Sequence, residues 1–182
     1  MSLAKINRIG KVRKATTCEK CGDPIGVGSP AVKFAVGFRA RTRVRCTKSE
    51  CFPKPSERES SLVSSVYAAQ EEADASTADS LEDLEQIRDD IANATREVAQ
   101  EYEDSEMFER NYDLQERAET LNGAADELEN WQPEGEDEPD EDDKGTWSYN
   151  GHDFDTYEDA HNEWLLHARQ SLQAAIDEME LP

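Results

Sequence analysis

The chain has 182 residues, 36% hydrophobic and 34% charged, with 20 Lys/Arg against 42 Asp/Glu and a net charge of −22. That supply of apolar side chains excludes one large core and suits one ordinary domain or two small ones; no apolar run approaches the roughly 18 residues of a membrane span. The charge is segregated, with 14 Lys/Arg and 4 Asp/Glu in residues 1–58 but 6 and 38 in residues 59–182, so two halves with different partners are expected.

The basic half is suited to attract nucleic acid and the acidic half to repel it. Only Lys144 represents lysine after residue 58. A low-lysine, Asp/Glu-rich surface also suits solubility in high salt, and composition does not separate a binding device from adaptation to solvent.

Residues 1–17 (Lys5, Arg8, Lys11, Arg13, Lys14) read as a flexible basic arm. They lack the apolar stretch of a secretory signal, so a cytoplasmic setting is expected. Residues 18–58 read as a finger. Cys18-x2-Cys21, a gap of 24 residues and Cys46-x4-Cys51 form two close thiol pairs, which is what a tetrahedral zinc site requires. Two disulfides or buried free thiols are the alternatives; without an export signal, metal is favoured. Four cysteine ligands leave no open position, so one structural ion is expected rather than a catalytic one.

Between the pairs, Val32, Phe34 and Val36 alternate with Lys33 and Ala35 as on a strand, and a turn at Gly37 follows. Arg39, Arg41, Arg43 and Arg45 then alternate with Ala40, Thr42 and Val44. On a strand, period two sets the four guanidinium groups on one face about 6.6 Å apart. That spacing is close to the distance between phosphates, which arginine grips through its fork. Lys33, Arg13 and Lys14 extend the candidate nucleic-acid surface, and Phe34, Phe38 or Phe52 offers a stacking ring. The competing readings are a solvated strand face, or a surface that docks the acidic residues of the same chain as an internal competitor for phosphate.

Residues 59–131 read as an acidic helical region. Leu62, Val66, Ala69 and Ala73 make a first stripe. Leu84, Ile87, Ile91, Ala94 and Val98 make a second, and Leu114, Ala118, Leu121, Ala125 and Leu128 a third. Such narrow seams suit an antiparallel, coiled-coil-like arrangement. Residues 132–146 are an acidic linker with Pro133 and Pro139. Within residues 147–182, Asn150-Gly151 between aromatics predicts a β-hairpin. Asp155-Thr156-Tyr157-Glu158 then reads as a capping box that opens a last helix to about Met179, with an apolar face of Tyr157, His161, Trp164, Ala168, Leu172, Ala175 and Met179. The three tryptophans read as packing anchors, and His161 and His167, six apart, do not chelate. The fold class is therefore α+β, mostly α: an N-terminal zinc-stabilised finger, then acidic antiparallel helices with a small hairpin.

Cys18-Glu19-Lys20-Cys21-Gly22-Asp23-Pro24-Ile25, with Gly28 and Arg43-Val44-Arg45-Cys46, resembles a treble-clef finger of the poly(ADP-ribose) polymerase type. The resemblance implies zinc held by Cys18, Cys21, Cys46 and Cys51, and recognition of DNA ends or breaks. Cys46 stands where that family has His, and its spacer to Cys51 is longer. Pro55-Ser56-Glu57 and Ala-Ala-Gln-Glu-Glu over 68–72 are similar to small tailed-phage proteins of unassigned function, which implies a viral setting in a host cytoplasm.

No P-loop, dinucleotide fingerprint, HExxH or nucleophile elbow is present. The expected function is a non-enzymatic zinc-finger protein that binds nucleic acid through the arginine strand and uses its acidic helices for protein interaction or self-association. No membrane or small-molecule substrate is expected. The alternative is a protein-interaction module or host-factor inhibitor whose acidic helices mimic nucleic acid, with zinc purely structural.

Overall fold

A computed structural model describes residues 3–37, 40–133, 139–141 and 146–182. Among the described residues the chain is α+β, with four helices and small antiparallel sheets. It divides into two compact units, residues 1–71 and 72–181.

In the first unit β1 (Asn7–Ile9), β2 (Thr16–Thr17), β3 (Pro24–Ile25), β4 (Ala31–Phe34) and β5 (Arg43–Arg45) precede α1 (Ser64–Glu72). β1, β4 and β5 form one antiparallel sheet in that order, and β2 pairs with β3. The register sets Asn7 opposite Lys33 and Lys33 opposite Val44. By strand alternation that face is opposed to the one carrying Arg8, Val32, Phe34, Arg43 and Arg45. Val32 and Phe34 are buried as the alternation predicts. Ala31 is buried too, because it packs with Val12, Cys18, Ile25 and Cys51.

The segment expected as a flexible arm is built into the sheet. β1 pairs with β4, the Ala4 N–H donates to the Arg58 carbonyl, and the Val12 N–H donates to that of Ser29. Ile9 and Val12 are the cause: a basic stretch with apolar residues spaced along it has something to bury. Leu62, expected inward, is 42% exposed, and Val63 takes the buried position instead.

The second unit holds α2 (Leu81–Glu103), α3 (Tyr112–Glu129), β6 (Asp140–Glu141), β7 (Trp147–Tyr149), β8 (His152–Phe154) and α4 (Tyr157–Glu178). α2 and α3 run antiparallel: Arg96 bonds Asp126 and Glu129, while Asn122, earlier on α3, reaches Glu103 at the end of α2. The hairpin turn falls at Asn150 and Gly151, both at positive φ (51° and 75°), as a type I′ turn demands. Leu84, Ile91, Leu128, Trp131, Trp164, Leu165, Leu172 and Ile176 share one core, and the Trp131 indole donates to Ser171 Oγ at 3.0 Å. Ser80 caps α2, accepting from the Asp83 N–H at 3.1 Å. Ser80→Ala is therefore expected to cost about 1 kcal/mol, read as a lowered melting temperature of this unit. Among the described residues no helix is long and apolar enough to cross a membrane.

Candidate metal centre

Two short structures present the thiols. In the first, the Cys18 N–H donates to the Asp23 carbonyl at 2.8 Å and the Gly22 N–H to that of Cys18 at 2.9 Å. These bonds close a tight knuckle between β2 and β3. Gly22 sits at φ 77°, a backbone position that a side chain would strain. In the second, the four residues between Cys46 and Cys51 hold the start of a 3-10 turn over Ser49–Cys51. The Cys51 N–H bonds the Lys48 carbonyl at 3.0 Å, so the long spacer curls back and returns Cys51 to Cys46. The Glu19 N–H ties the knuckle to β5 through the Val44 carbonyl. An exposed Lys48–Asp23 ion pair at 2.7 Å joins the two thiol-bearing turns.

All four sulfurs lie within 4.8 Å of one another, and Cys21 Sγ and Cys46 Sγ are 3.9 Å apart. A tetrahedron with metal–sulfur bonds of about 2.3 Å has edges of about 3.8 Å, so the spacing fits one ion. The four cysteines form no disulfide, and 3.9 Å is well beyond the 2.05 Å or so of an S–S bond. Cys18 and Cys51 are buried, while Cys21 is exposed. Burial opposes ionisation of Cys18, yet the backbone N–H groups of Cys21, Cys46 and Lys20 point at its sulfur and bring the thiol down to about 6. Burial and the crowding of the other sulfurs push Cys51 up to about 12. The Cys18 sulfur is thus prepared as an anion, whereas Cys51 needs a cation to give up its proton.

The structure divides the basic residues singled out in the sequence between two faces. Arg43 and Arg45 lie on the Phe34 face, their guanidinium carbons 5.9 and 5.1 Å from the ring centroid. Arg45 is only 6% exposed. Its two terminal nitrogens donate to Glu57 Oε2 and Oε1 at 2.6 and 2.8 Å, so its fork is already filled by a carboxylate. Arg41 is exposed but precedes the strand, and Arg39 lies outside the described residues, as does Phe38. Arg41 and Arg43 border a cleft of about 390 Å³ with Val36, Ala40 and Glu19. Lys33, Arg13 and Lys14 belong to the other side of the sheet, on a groove of about 590 Å³ that also contains Lys11.

Glu57 escaped the sequence reading. Besides Arg45 it approaches Lys20 at 3.7 Å and accepts from the Lys54 N–H at 3.0 Å. The Arg45 fork beside it outweighs partial burial and holds its carboxyl down to about 2. Only its place after the proline-containing stretch 53–55 marked it, and that spacing carries no chemistry of its own. No protein-family model, curated protein or solved structure matches the chain, so its reading rests on this geometry.

Proposed function

We propose that the protein is a non-enzymatic, zinc-stabilised adaptor whose N-terminal unit binds nucleic acid. The observation that carries the reading is the closed set of four thiols at tetrahedral spacing, inside a unit whose exposed cations outnumber its carboxylates. Four soft anionic donors with no open position favour a structural zinc ion over a catalytic one. A surface rich in unpaired cations has phosphate as its natural ligand. Purified protein is expected to carry one zinc per chain by elemental analysis, and to retard a nucleic-acid probe at about 50 mM salt but far less at about 200 mM. Reduced protein free of zinc, or no retardation at the lower salt, would remove this reading.

A second reading concerns the helical unit. Tyr112 is 87% exposed and Met107 57% exposed beside the α2–α3 connection, among Asp104, Glu106, Glu109 and Asp113. Such a surface suits a basic protein partner or self-association. Affinity for a basic protein that maps to residues 72–181, with none for DNA or RNA, would favour that role as the principal one.

A further inference from the structure

The basic side chains of the first unit are not equally available. Arg45 and Lys20 share Glu57, Lys48 holds Asp23, and Lys54 faces Glu71 at 3.8 Å. The Arg58 Nε donates to the Ala4 carbonyl, and Arg8 lies over the Phe52 ring. Lys11, Arg13, Lys14 and Lys33 are exposed, and among the described residues none of the four meets a carboxylate.

These four line one groove. Its shape follows from the local chain path. Val12 is pinned inward by its paired backbone bonds to Ser29 and Gly28. Residues 13–15 on one side of it, and the Lys33–Val44 face of the sheet on the other, are left as walls. Ile9, Val12, Ala15 and Val44 supply the apolar lining, with Thr16 beside them and, among the described residues, no acidic or aromatic side chain. The smaller cleft at Arg41 and Arg43 has a carboxylate, Glu19, within its own wall, which offsets part of its charge and repels phosphate.

We infer that the groove of Lys11, Arg13, Lys14 and Lys33, and not the arginine strand, is the seat of the nucleic acid, held by its phosphodiester backbone without readout of its bases. This rests on the nucleic-acid reading above and names the surface. Four unneutralised cations answer a row of phosphates. The lack of an aromatic ring among the described lining residues denies unpaired bases a stacking platform, and the lack of Asn, Gln, Asp or Glu removes the amide and carboxylate contacts that discriminate adenine or cytosine; the lysines and Arg13, the side chains able to read guanine, are the cations that the phosphates engage.

The test is binding of the full-length, zinc-loaded protein to fluorescent duplex DNA, single-stranded DNA and RNA of two unrelated sequences, across about 50–200 mM salt. Lys14→Ala/Lys33→Ala is compared with Arg41→Ala/Arg43→Ala. All four residues are exposed, and unchanged zinc content and melting temperature verify the fold. The groove pair is expected to weaken every probe by the same factor and to lower the log–log salt slope by about 2, near one unit per phosphate contact removed. The arginine pair is expected to leave the slope unchanged. Binding lost with the arginine pair but kept with the groove pair overturns the assignment and leaves the nucleic-acid reading standing. Marked preference for one sequence, or for single strands, overturns the backbone-only recognition. Binding to no probe overturns both.

Discussion

Chelation of the metal at neutral pH is expected to unfold residues 3–71 while α2, α3 and α4 stay folded. Apart from Cys18 and Cys51, the first unit buries few apolar side chains, among them Val12, Ile25, Val32, Phe34, Val63 and Val66. A core of that size does not offset the chain entropy of some seventy residues without a cross-link. A structural zinc ion contributes on the order of 10–16 kcal/mol of apparent binding energy at pH 7, and a unit that folds around it loses that term on chelation. α1 has only 9 helical residues, against 23, 18 and 22 in the later helices. Far-UV ellipticity should therefore fall little. Hydrogen exchange should show the loss clearly, as full exposure of peptides from residues 3–71 with protection kept in residues 81–178. Retained protection of β4 and β5 in metal-free, reduced protein would show that the thiols are ordinary core residues.

The four cysteines are not expected to be equivalent in this respect. Cys21 is exposed, so in Cys21→Ser a water or the new hydroxyl can complete the coordination, and weakened metal binding is the expected result. Cys18 is buried at 2% exposure and takes three backbone N–H groups on its sulfur. Cys18→Ser leaves those donors to a smaller, harder oxygen, and loss of metal with unfolding of the unit is expected. Titration of each variant with zinc, read by exchange protection, ranks the two.

The difference between what periodicity announces and what packing decides is plain in the helices. Leu84, Ile91 and Val98 are buried as their spacing requires, yet Thr95 is completely buried in place of half-buried Ala94, because its hydroxyl bonds the Ile91 carbonyl at 2.8 Å and needs no water. Arg117 is 6% exposed beside the Tyr102 ring and hydroxyl; a pattern that treats every charge as outward-facing hides such residues. On α4 Trp164, Ala168 and Leu172 are buried as expected and Ala175 and Met179 pack against the same core, with Ala160, Leu165 and Ile176 buried beside them. Tyr157 and His161 are drawn instead to a ring stack that includes Trp147. The four-thiol cluster was legible because thiol spacing carries the chemistry of the site directly. The pairing of Arg45 with Glu57 was not, because alternation along one strand says nothing about which cations the rest of the chain neutralises.

Glu57→Gln is expected to destabilise the first unit by about 3 kcal/mol at pH 7. The carboxyl is held at about 2 rather than 4.5, a difference that corresponds to roughly 3 kcal/mol. Removing the anion also strands a buried guanidinium, a loss of about 3–5 kcal/mol in comparable pairs. A carboxyl whose pKa is lowered on folding stabilises fully above its unfolded value and ceases to do so as pH falls through its folded value. The gap between wild type and variant should therefore be flat from pH 8 to 5 and shrink below about 4.5. Acid also protonates the thiols and releases the metal, so the comparison is confined to pH values at which both proteins still carry zinc. Arg45→Met/Glu57→Gln should recover part of the loss, since no unpaired charge then remains. Arg45→Lys should not rescue, because an ammonium cannot engage both carboxylate oxygens. Because Glu57 also accepts from the Lys54 N–H just beyond Cys51, the single variant should surrender zinc to a chelator faster than wild type. Equal release rates would confine the pair to stability alone and separate it from the metal.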